Sequence, residues 1–284
     1  MSCLVLGGTG LLGNHFVTIL KKKKIRGFKH GNSKPSEFNF ELSDEKSLTK
    51  ILKKYKPKII INCAALTNVD LCNENFGLAY RNNALSVRSL IKSIKSAKIR
   101  PHLTYISTVQ VYNNQSKTSS NKESDVIISN NYGKSKFLGE IEMKNYSKSL
   151  IIRTNFFGES KLSYRKSFSD WLILNAQKRN KIFLAKNIFF NPIHLNYLTE
   201  LVLELINKNC TGIFNVGSKD CISKYEFAKL IFRRKKIKNK CLHSYVSSIA
   251  KNKRPNGTFM NIEKLQNKLN IKIPNLKDSI NQLS

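Results

Sequence analysis

Acidic residues are scarce in this 284-residue chain: 18 Asp and Glu stand against 50 Lys and Arg, a formal net charge of +32. Such a surplus admits three kinds of partner: nucleic acid, an anionic membrane surface, or an acidic small molecule. Its distribution narrows the choice. Lys runs from Lys21 to Lys277 without a separate basic tail. The dense clusters, Lys21–Lys24 and Arg233–Lys236, each close a stretch of helical character, where cations favour the negative end of the macrodipole. They read as solvated helix ends, so no nucleic-acid partner is expected.

Long apolar runs are missing too. No segment approaches the ~20 apolar residues that span a bilayer, and Met1-Ser2-Cys3-Leu4-Val5-Leu6 runs straight into glycines without a basic stretch before it, unlike a secretory leader. The six cysteines (Cys3, Cys63, Cys72, Cys210, Cys221, Cys241) contain no CxxC pair and no zinc-like spacing with the five histidines. A disulfide framework is therefore not expected. Cys63 and Cys221 read as buried small hydrophobes, and Trp171 and its neighbouring aromatics as core rather than ligand-stacking residues. A reduced, cytoplasmic, soluble protein with no membrane partner is expected.

What is present is ordinary for a globular protein: 40% hydrophobic and 24% charged residues. At roughly 150 residues per domain the length predicts one large domain or two packed ones. Short apolar runs alternate with amphipathic stretches, the pattern of parallel strands joined by crossover helices. Strands are predicted at Ser2–Leu6, Ile25–Lys29, Phe38–Glu41, Lys58–Asn62, His102–Ile106, Leu150–Arg153 and Gly212–Val216. Helices are predicted at Leu11–Lys22, from a Ser43 cap to Tyr55, at Phe76–Ser96, at Tyr132–Asn145 and at Leu195–Ile206. Residues 113–131 read as a long surface loop, the stretch up to Phe190 as less regular, and the tail from Ser218 as two helical patterns with a basic loop, Lys251–Pro255.

Gly7-Gly8-Thr9-Gly10-Leu11-Leu12-Gly13 follows the first strand and opens the first helix. Glycine is needed where a backbone must turn sharply, approach a pyrophosphate and let helix and strand pack closely, with the phosphates at the positive helix terminus. A dinucleotide site is expected at Gly7, Gly10, Leu11, Leu12 and Gly13. An acid at the end of the second strand would hydrogen-bond the 2′-hydroxyl of NADH. The stretch from Phe28 to Lys34 instead offers Lys29, His30 and Lys34, which tilts the choice toward NADPH while leaving NADH open.

Tyr132-Gly133-Lys134-Ser135-Lys136 places a phenol and an ammonium at i and i+4, on one helix face. A phenol of pKa ~10 is a protonated acid at neutral pH, and an adjacent cation eases proton release. About two dozen residues earlier, Ser107 and Thr108 put hydroxyls where a strand ends. Strand-end hydroxyl, YxxxK and glycine loop together form a strong joint signal.

These residues resemble the extended short-chain dehydrogenase/reductases, and more narrowly the RmlD-like dTDP-4-dehydrorhamnose reductase family. Phe40-Glu41-Leu42-Ser43-Asp44 is similar to the family's DLTD, Asn62 to Asp70 to its NAAAxTxVD, and Ala79 to Ala84 to its AYRVNA. Tyr132 to Glu140 matches YGxTKxxGE, Ile152 to Gly158 resembles IVRTxxxxG, and Lys253-Arg254-Pro255 matches a KRP element.

The resemblance implies an α/β, Rossmann-type doubly wound parallel sheet with a smaller C-terminal lobe. Residues 1–158 plus about 190–217 would bind NAD(P), and about 159–189 and 218–284 a nucleotide sugar, the implied partner. It further implies that Tyr132 is the general acid, that Lys136 binds the nicotinamide ribose, and that Thr108 hydrogen-bonds the substrate carbonyl with Ser107 beside it. Ala64 and Ala65 would line the cofactor, Asn83 would brace the central strands, and Arg254 would meet a substrate phosphate.

The implied reaction is NAD(P)H-dependent reduction of the 4-keto group of a nucleotide-linked 6-deoxyhexulose, with dTDP-4-dehydrorhamnose foremost. A related reductase or epimerase, or a non-enzymatic regulatory subunit of the same fold, stays open. So does a homodimer. The acidic residues that hold Mg2+ in some relatives have no assignable counterpart, and no metal ligand is named. Three departures, the absence of an acid from Ser107–Tyr112, Phe156 in place of Trp, and a loop at 124–129 without prolines, bear on the sugar rather than on the chemistry.

Overall fold

A strand that is apolar at every position has no solvent face, so it belongs in a sheet covered on both sides. Cys3–Leu6 is such a run, and Cys3, Leu4, Val5 and Leu6 are all buried. The structure is a computed structural model that describes residues 2–31, 37–113, 120–247, 255 and 257–284.

In chain order the elements are β1 (Ser2–Leu6), α1 (Leu11–Lys22), β2 (Arg26–Lys29), α2 (Glu45–Tyr55), β3 (Ile59–Asn62), α3 (Val69–Glu74), α4 (Phe76–Tyr80), a π-helical turn (Arg81–Leu85), α5 (Ser86–Ser96), β4 (His102–Ile106), α6 (Asn131–Met143), β5 (Ser149–Thr154) and β6 (Phe156–Phe157). There follow α7 (Phe168–Gln177), β7 (Ile182–Ala185), β8 (Phe189–Phe190), β9 (Ile193–His194), α8 (Leu195–Asn207), β10 (Gly212–Val216), β11 (Ile222–Ser223), α9 (Lys224–Arg234), β12 (Leu242–Tyr245), α10 (Glu263–Leu269) and α11 (Leu276–Asn281).

Six strands form one sheet in the order β10-β5-β4-β3-β1-β2. The pairs β1–β2, β1–β3, β3–β4 and β4–β5 are parallel. From β1 the chain crosses first to one side, to β2, and then to the other, to β3. The reversal makes the carboxyl ends of β1 and β3 the topological switch point, where doubly wound sheets bind ligands.

The chain divides into two compact units. The first comprises Met1–Thr108, Asn130–Arg153 and Val202–Phe214. Its core packs Leu4, Leu6, Ile60, Leu103 and Ile151 of the sheet with Leu48 and Leu52 of α2 and Val87, Leu90, Ile91 and Ile94 of α5. The last four recur at i, i+3, i+4 and i+7, the stripe an amphipathic helix turns inward. The second unit comprises Val109–Ser129, Thr154–Leu201 and Asn215–Ser284. It is built on three two-stranded sheets, β7–β12, β8–β11 and β6–β9. Phe227 of α9 centres its core, in edge contact with Phe157 at 4.9 Å and Phe190 at 5.4 Å. Relative to the expected domains, residues 109–129, 154–158, 190–201 and 215–217 group with this second unit.

Several local expectations need correction. No strand forms at Phe38–Glu41, only a bridge between His30 and Phe38. The His30 Nε2 donates to the Phe40 carbonyl at 2.8 Å, which takes that ladder acceptor, and the Phe38 ring packs against Phe28 and Tyr55. Asp44, not Ser43, caps α2 by accepting from the Ser47 amide at 3.0 Å. The single helix expected at Phe76–Ser96 contains a π-helical turn, and α3, capped by Asn68, precedes it. The less regular stretch holds α7, whose capping box of Ser167 and Asp170 went unread, and the tail holds three helices rather than two.

Trp171 is not core: it is 44% exposed and stacks on Phe168 at an interplanar angle of 12°. Cys63 and Cys221 are half-buried. The basic clusters do close helices, with Lys21 and Lys22 in the last turn of α1 and Arg233 and Arg234 in that of α9. Lys251–Arg254 lie outside the described residues.

Candidate active site

The glycine loop joins β1 to α1 at the switch point. Gly7 sits at φ +71°, and a Cβ there would lie 2.6 Å from the Ala64 backbone nitrogen. A side chain at Gly13 would likewise strike the Gly7 carbonyl. The loops after β1 and β3 therefore touch backbone to backbone, leaving a cradle that any Cβ would fill. Gly10 caps α1 without a side-chain bond, and no acid stands in its first turn. The amides of Leu11, Leu12 and Gly13 are thus left for an anion at the positive helix end. The residues present fit a dinucleotide pyrophosphate.

Beyond β2, His30 is 2% exposed and burial lowers its pKa, so it is a structural neutral imidazole rather than a cation for a phosphate. Lys34 lies outside the described residues. Lys29 is half-buried, and its Nζ meets Asn14 Oδ1 of α1 at 3.4 Å. A carboxylate missed in the sequence stands nearby: Glu37 Oε2 accepts from the Lys29 amide at 3.2 Å. Glu37 is the eighth residue after the end of β2, past the stretch from Phe28 to Lys34.

Half-buried Ala64 and Ala65 follow β3. Their loop is held by Asn83 in the π-helical turn, whose Oδ1 accepts from the Leu66 amide at 2.8 Å and whose Nδ2 donates to the Leu66 carbonyl at 3.0 Å. The same Nδ2 donates to Ser135 Oγ at 2.9 Å, and Ser135 donates to the Tyr132 carbonyl at 2.8 Å. Asn83 therefore ties the loop after β3 to the first turn of α6, and the π turn is where the helix bulges to let it do so.

Asn130 caps α6 by accepting from Gly133 N–H at 2.8 Å. On the helix Tyr132 is half-buried and Lys136 is 1% exposed. The Lys136 Nζ lies 3.8 Å from the centre of the Tyr105 ring of β4. Burial brings the Lys136 pKa down to about 7, with the charge of Glu140 pushing back. One turn further, Glu140 is fully buried. Its Oε1 accepts from Ser107 Oγ at 2.5 Å, and its carboxylate forms a two-point pair with Arg153 of β5, Nε to Oε1 at 2.9 Å and Nη2 to Oε2 at 2.6 Å.

The end of β4 is thus pinned to α6 twice, through Tyr105 and through Ser107. Buried Thr108 comes next in the chain and opens onto a short 3-10 turn at Val109–Val111. Thr108, Tyr132 and Lys136 all belong to the first unit, with the glycine loop and Ala64–Ala65. Arg254 lies outside the described residues. Glu140, Arg153 and Tyr105 had no role in the sequence reading, although Glu140 falls four residues after Lys136, at helical spacing. Among the described residues no group of three or more His, Cys, Asp and Glu side chains could hold a metal.

A parallel sheet with a glycine loop at its switch point and a Tyr-x-x-x-Lys helix behind a strand-end Ser-Thr defines an extended short-chain dehydrogenase/reductase. The family model of the RmlD substrate binding domain matches residues 1–284, and the chain belongs to that family. It is 27% identical over 230 residues to the spore coat polysaccharide biosynthesis protein SpsK of Bacillus subtilis, covering 80% of this chain and 77% of that one. It is 27% identical over 201 residues to dTDP-4-dehydrorhamnose reductase of Aggregatibacter actinomycetemcomitans, covering 68% and 66%. Among solved structures, dTDP-4-dehydrorhamnose reductase of Bacillus anthracis in complex with NADP superposes with a TM-score of 0.87 over 99% of this chain and 98% of that one, at 22% identity.

Proposed function

We propose that this protein is an NADPH-dependent reductase of a nucleotide-linked 4-keto-6-deoxyhexulose, converting dTDP-4-dehydrorhamnose to dTDP-rhamnose. The observation that carries this reading is Lys136, buried against Tyr105 one helical turn from Tyr132, on a helix bonded to the Ser107–Thr108 strand end. When bound, NADPH supplies the hydride that reaches C4 of the sugar. Tyr132 gives its phenolic proton to the oxygen as negative charge develops there, and Thr108 donates a hydrogen bond to that oxygen. Lys136, as a cation, holds the ribose and favours the tyrosinate left behind.

The amides of Leu11, Leu12 and Gly13 hold the pyrophosphate in the cradle of Gly7 and Gly10, with Ala64 and Ala65 along the cofactor. Because the Ser107 hydroxyl is spent on Glu140 and its amide on the Ile152 carbonyl, Ser107 serves the cofactor site through its own carbonyl. Lys29, steadied by Asn14, is the cation for the 2′-phosphate, and Glu37 beside it is the carboxylate that would accept an NADH ribose hydroxyl. The second unit supplies the nucleotide-sugar lobe, with Arg254 for a phosphate. The protein works as a cytoplasmic enzyme and a homodimer; no helix of the described residues is long and apolar enough to cross a membrane.

The test is turnover of dTDP-4-dehydrorhamnose with NADPH, with the product identified by NMR. A dTDP-rhamnose product supports the reading. An epimerised, unreduced sugar, or no cofactor oxidation at all, overturns it.

A further inference from the structure

Three charged side chains are buried in the first unit: Lys136, Glu140 and Arg153. A buried ion pair is seldom retained for stability alone, since apolar residues of similar volume often serve as well. Arg153 and Glu140 are each 1% exposed as side chains, and only Lys136 and Arg153 match the single negative charge of Glu140. The same carboxylate also accepts from Ser107, whose amide donates to the Ile152 carbonyl at 2.7 Å, next to Arg153. Side chain and backbone of Ser107 are therefore fixed from two elements, and Thr108 is the next residue.

We infer that Glu140, clamped by Arg153, is a positioning residue for the proposed reduction: it keeps Lys136 charged inside the protein and holds the Ser107–Thr108 strand end against the helix that carries Tyr132. This rests on the reading of Tyr132, Lys136 and Thr108 given above.

The surroundings of Lys136 leave this task to Glu140. From β4 it faces Tyr105, whose pKa is pushed well above the usual phenol value by burial, so the ring is neutral. From the end of β3 it faces Cys63, whose thiol burial likewise pushes up, so it too is neutral. On its own helix the titratable neighbours are Tyr132 and Glu140. Asp70 and Glu74 of α3, Arg81 of the π turn, and Arg88 and Lys92 of α5 are exposed. Glu140 is thus the buried anion near the ammonium, and its removal disfavours the charged form.

The test compares wild type with Glu140→Gln, Arg153→Met, the double variant Glu140→Gln/Arg153→Met, Glu140→Asp and Ser107→Ala. The double variant leaves no unpaired partner buried and, set against Arg153→Met, from which it differs in the Glu140 charge alone, answers the question if Glu140→Gln fails to fold. In each comparison, wild type with Glu140→Gln and Arg153→Met with the double variant, loss of the Glu140 charge moves the alkaline limb of kcat/KM to lower pH by about one unit or more, the size expected of one charge a helical turn away with an effective dielectric constant of about 20. Glu140→Asp restores the limb toward the wild-type position. Ser107→Ala lowers kcat several-fold with KM and the limb unmoved. In parallel, the 13Cε resonance of Lys136, assigned by its loss in Lys136→Met, gives the titration midpoint without substrate or cofactor. A midpoint and limb that coincide within these comparisons, wild type with Glu140→Gln and Arg153→Met with the double variant, overturn the inference. If no protein reduces the keto-sugar but the Lys136 midpoint still falls on loss of the Glu140 charge, the proposed reaction fails while the role of Glu140 in holding the charge stands.

Discussion

The two units solve the problem of buried polarity in different ways. The first buries charge, with Arg153, Glu140 and Lys136 all within it. The second, among its described residues, buries no Asp, Glu, Lys or Arg. It uses amides instead. Asn215 accepts from the Tyr112 hydroxyl at 2.7 Å and donates to the carbonyls of Asn121 and Asn261, both at 3.1 Å. Asn191 donates to the carbonyls of Ser218 and Met260 and accepts from the Met260 amide. Neutral groups with satisfied hydrogen bonds fasten irregular segments without the desolvation cost of an ion. Among the described residues, Asp, Glu, Lys and Arg side chains are buried only in the unit that carries Tyr132, the proposed proton donor. The contrast separates architecture from chemistry.

The sharpest way to break the contrast is to unpair the charges. Arg153→Met leaves Glu140 uncompensated and is expected to cost about 3–5 kcal/mol in urea unfolding, with most of that recovered when Glu140→Gln is added. In the second unit, Asn215→Ala strands several buried partners at about 1–3 kcal/mol, with no dependence on pH. An Asn215→Ala cost that varied with pH would erase the distinction.

The buried lysine adds a linkage effect. Its pKa is lowered from 10.5 to about 7, so between these values the unfolded chain binds the extra proton and stability rises with pH. Relative to Lys136→Met, the wild type is expected to gain stability from pH 7 to 10, read from unfolding midpoints, and to gain nothing below pH 6. The smallest effect concerns the cofactor. Lys29→Met is expected to weaken NADPH several-fold and spare NADH, whereas Glu37→Gln weakens NADH alone, both read by fluorescence titration.

Much of the first unit was legible because its signals are local. The strands Ser2–Leu6 and Gly212–Val216 and helix Leu11–Lys22 fall at the expected residues, since an unbroken apolar run or a glycine loop states its structure within a few positions. What failed depended on partners distant in sequence. The Phe38–Glu41 strand is lost to a side chain ten residues away, His30, and His30 itself, basic on paper, is a buried neutral ring. The π turn exists because Asn83 reaches Leu66 and Ser135, contacts no periodicity discloses. In the second unit two-residue strands such as β6, β8, β9 and β11 carry too little pattern to be read. Glu140 and Arg153 lay inside recognised motifs, but their pairing spans a helix and a strand, and a charged residue in so basic a chain looks solvated by default.

The claim on which the rest depends is that the Tyr132 hydroxyl is the proton donor, and Tyr132→Phe tests it most directly. Single-turnover oxidation of NADPH by dTDP-4-dehydrorhamnose is expected to slow by about 10²–10⁴-fold, the usual worth of a positioned general acid, with NADPH affinity nearly unchanged because the ring remains. A Tyr132→Phe protein that turns over at the wild-type rate would contradict it.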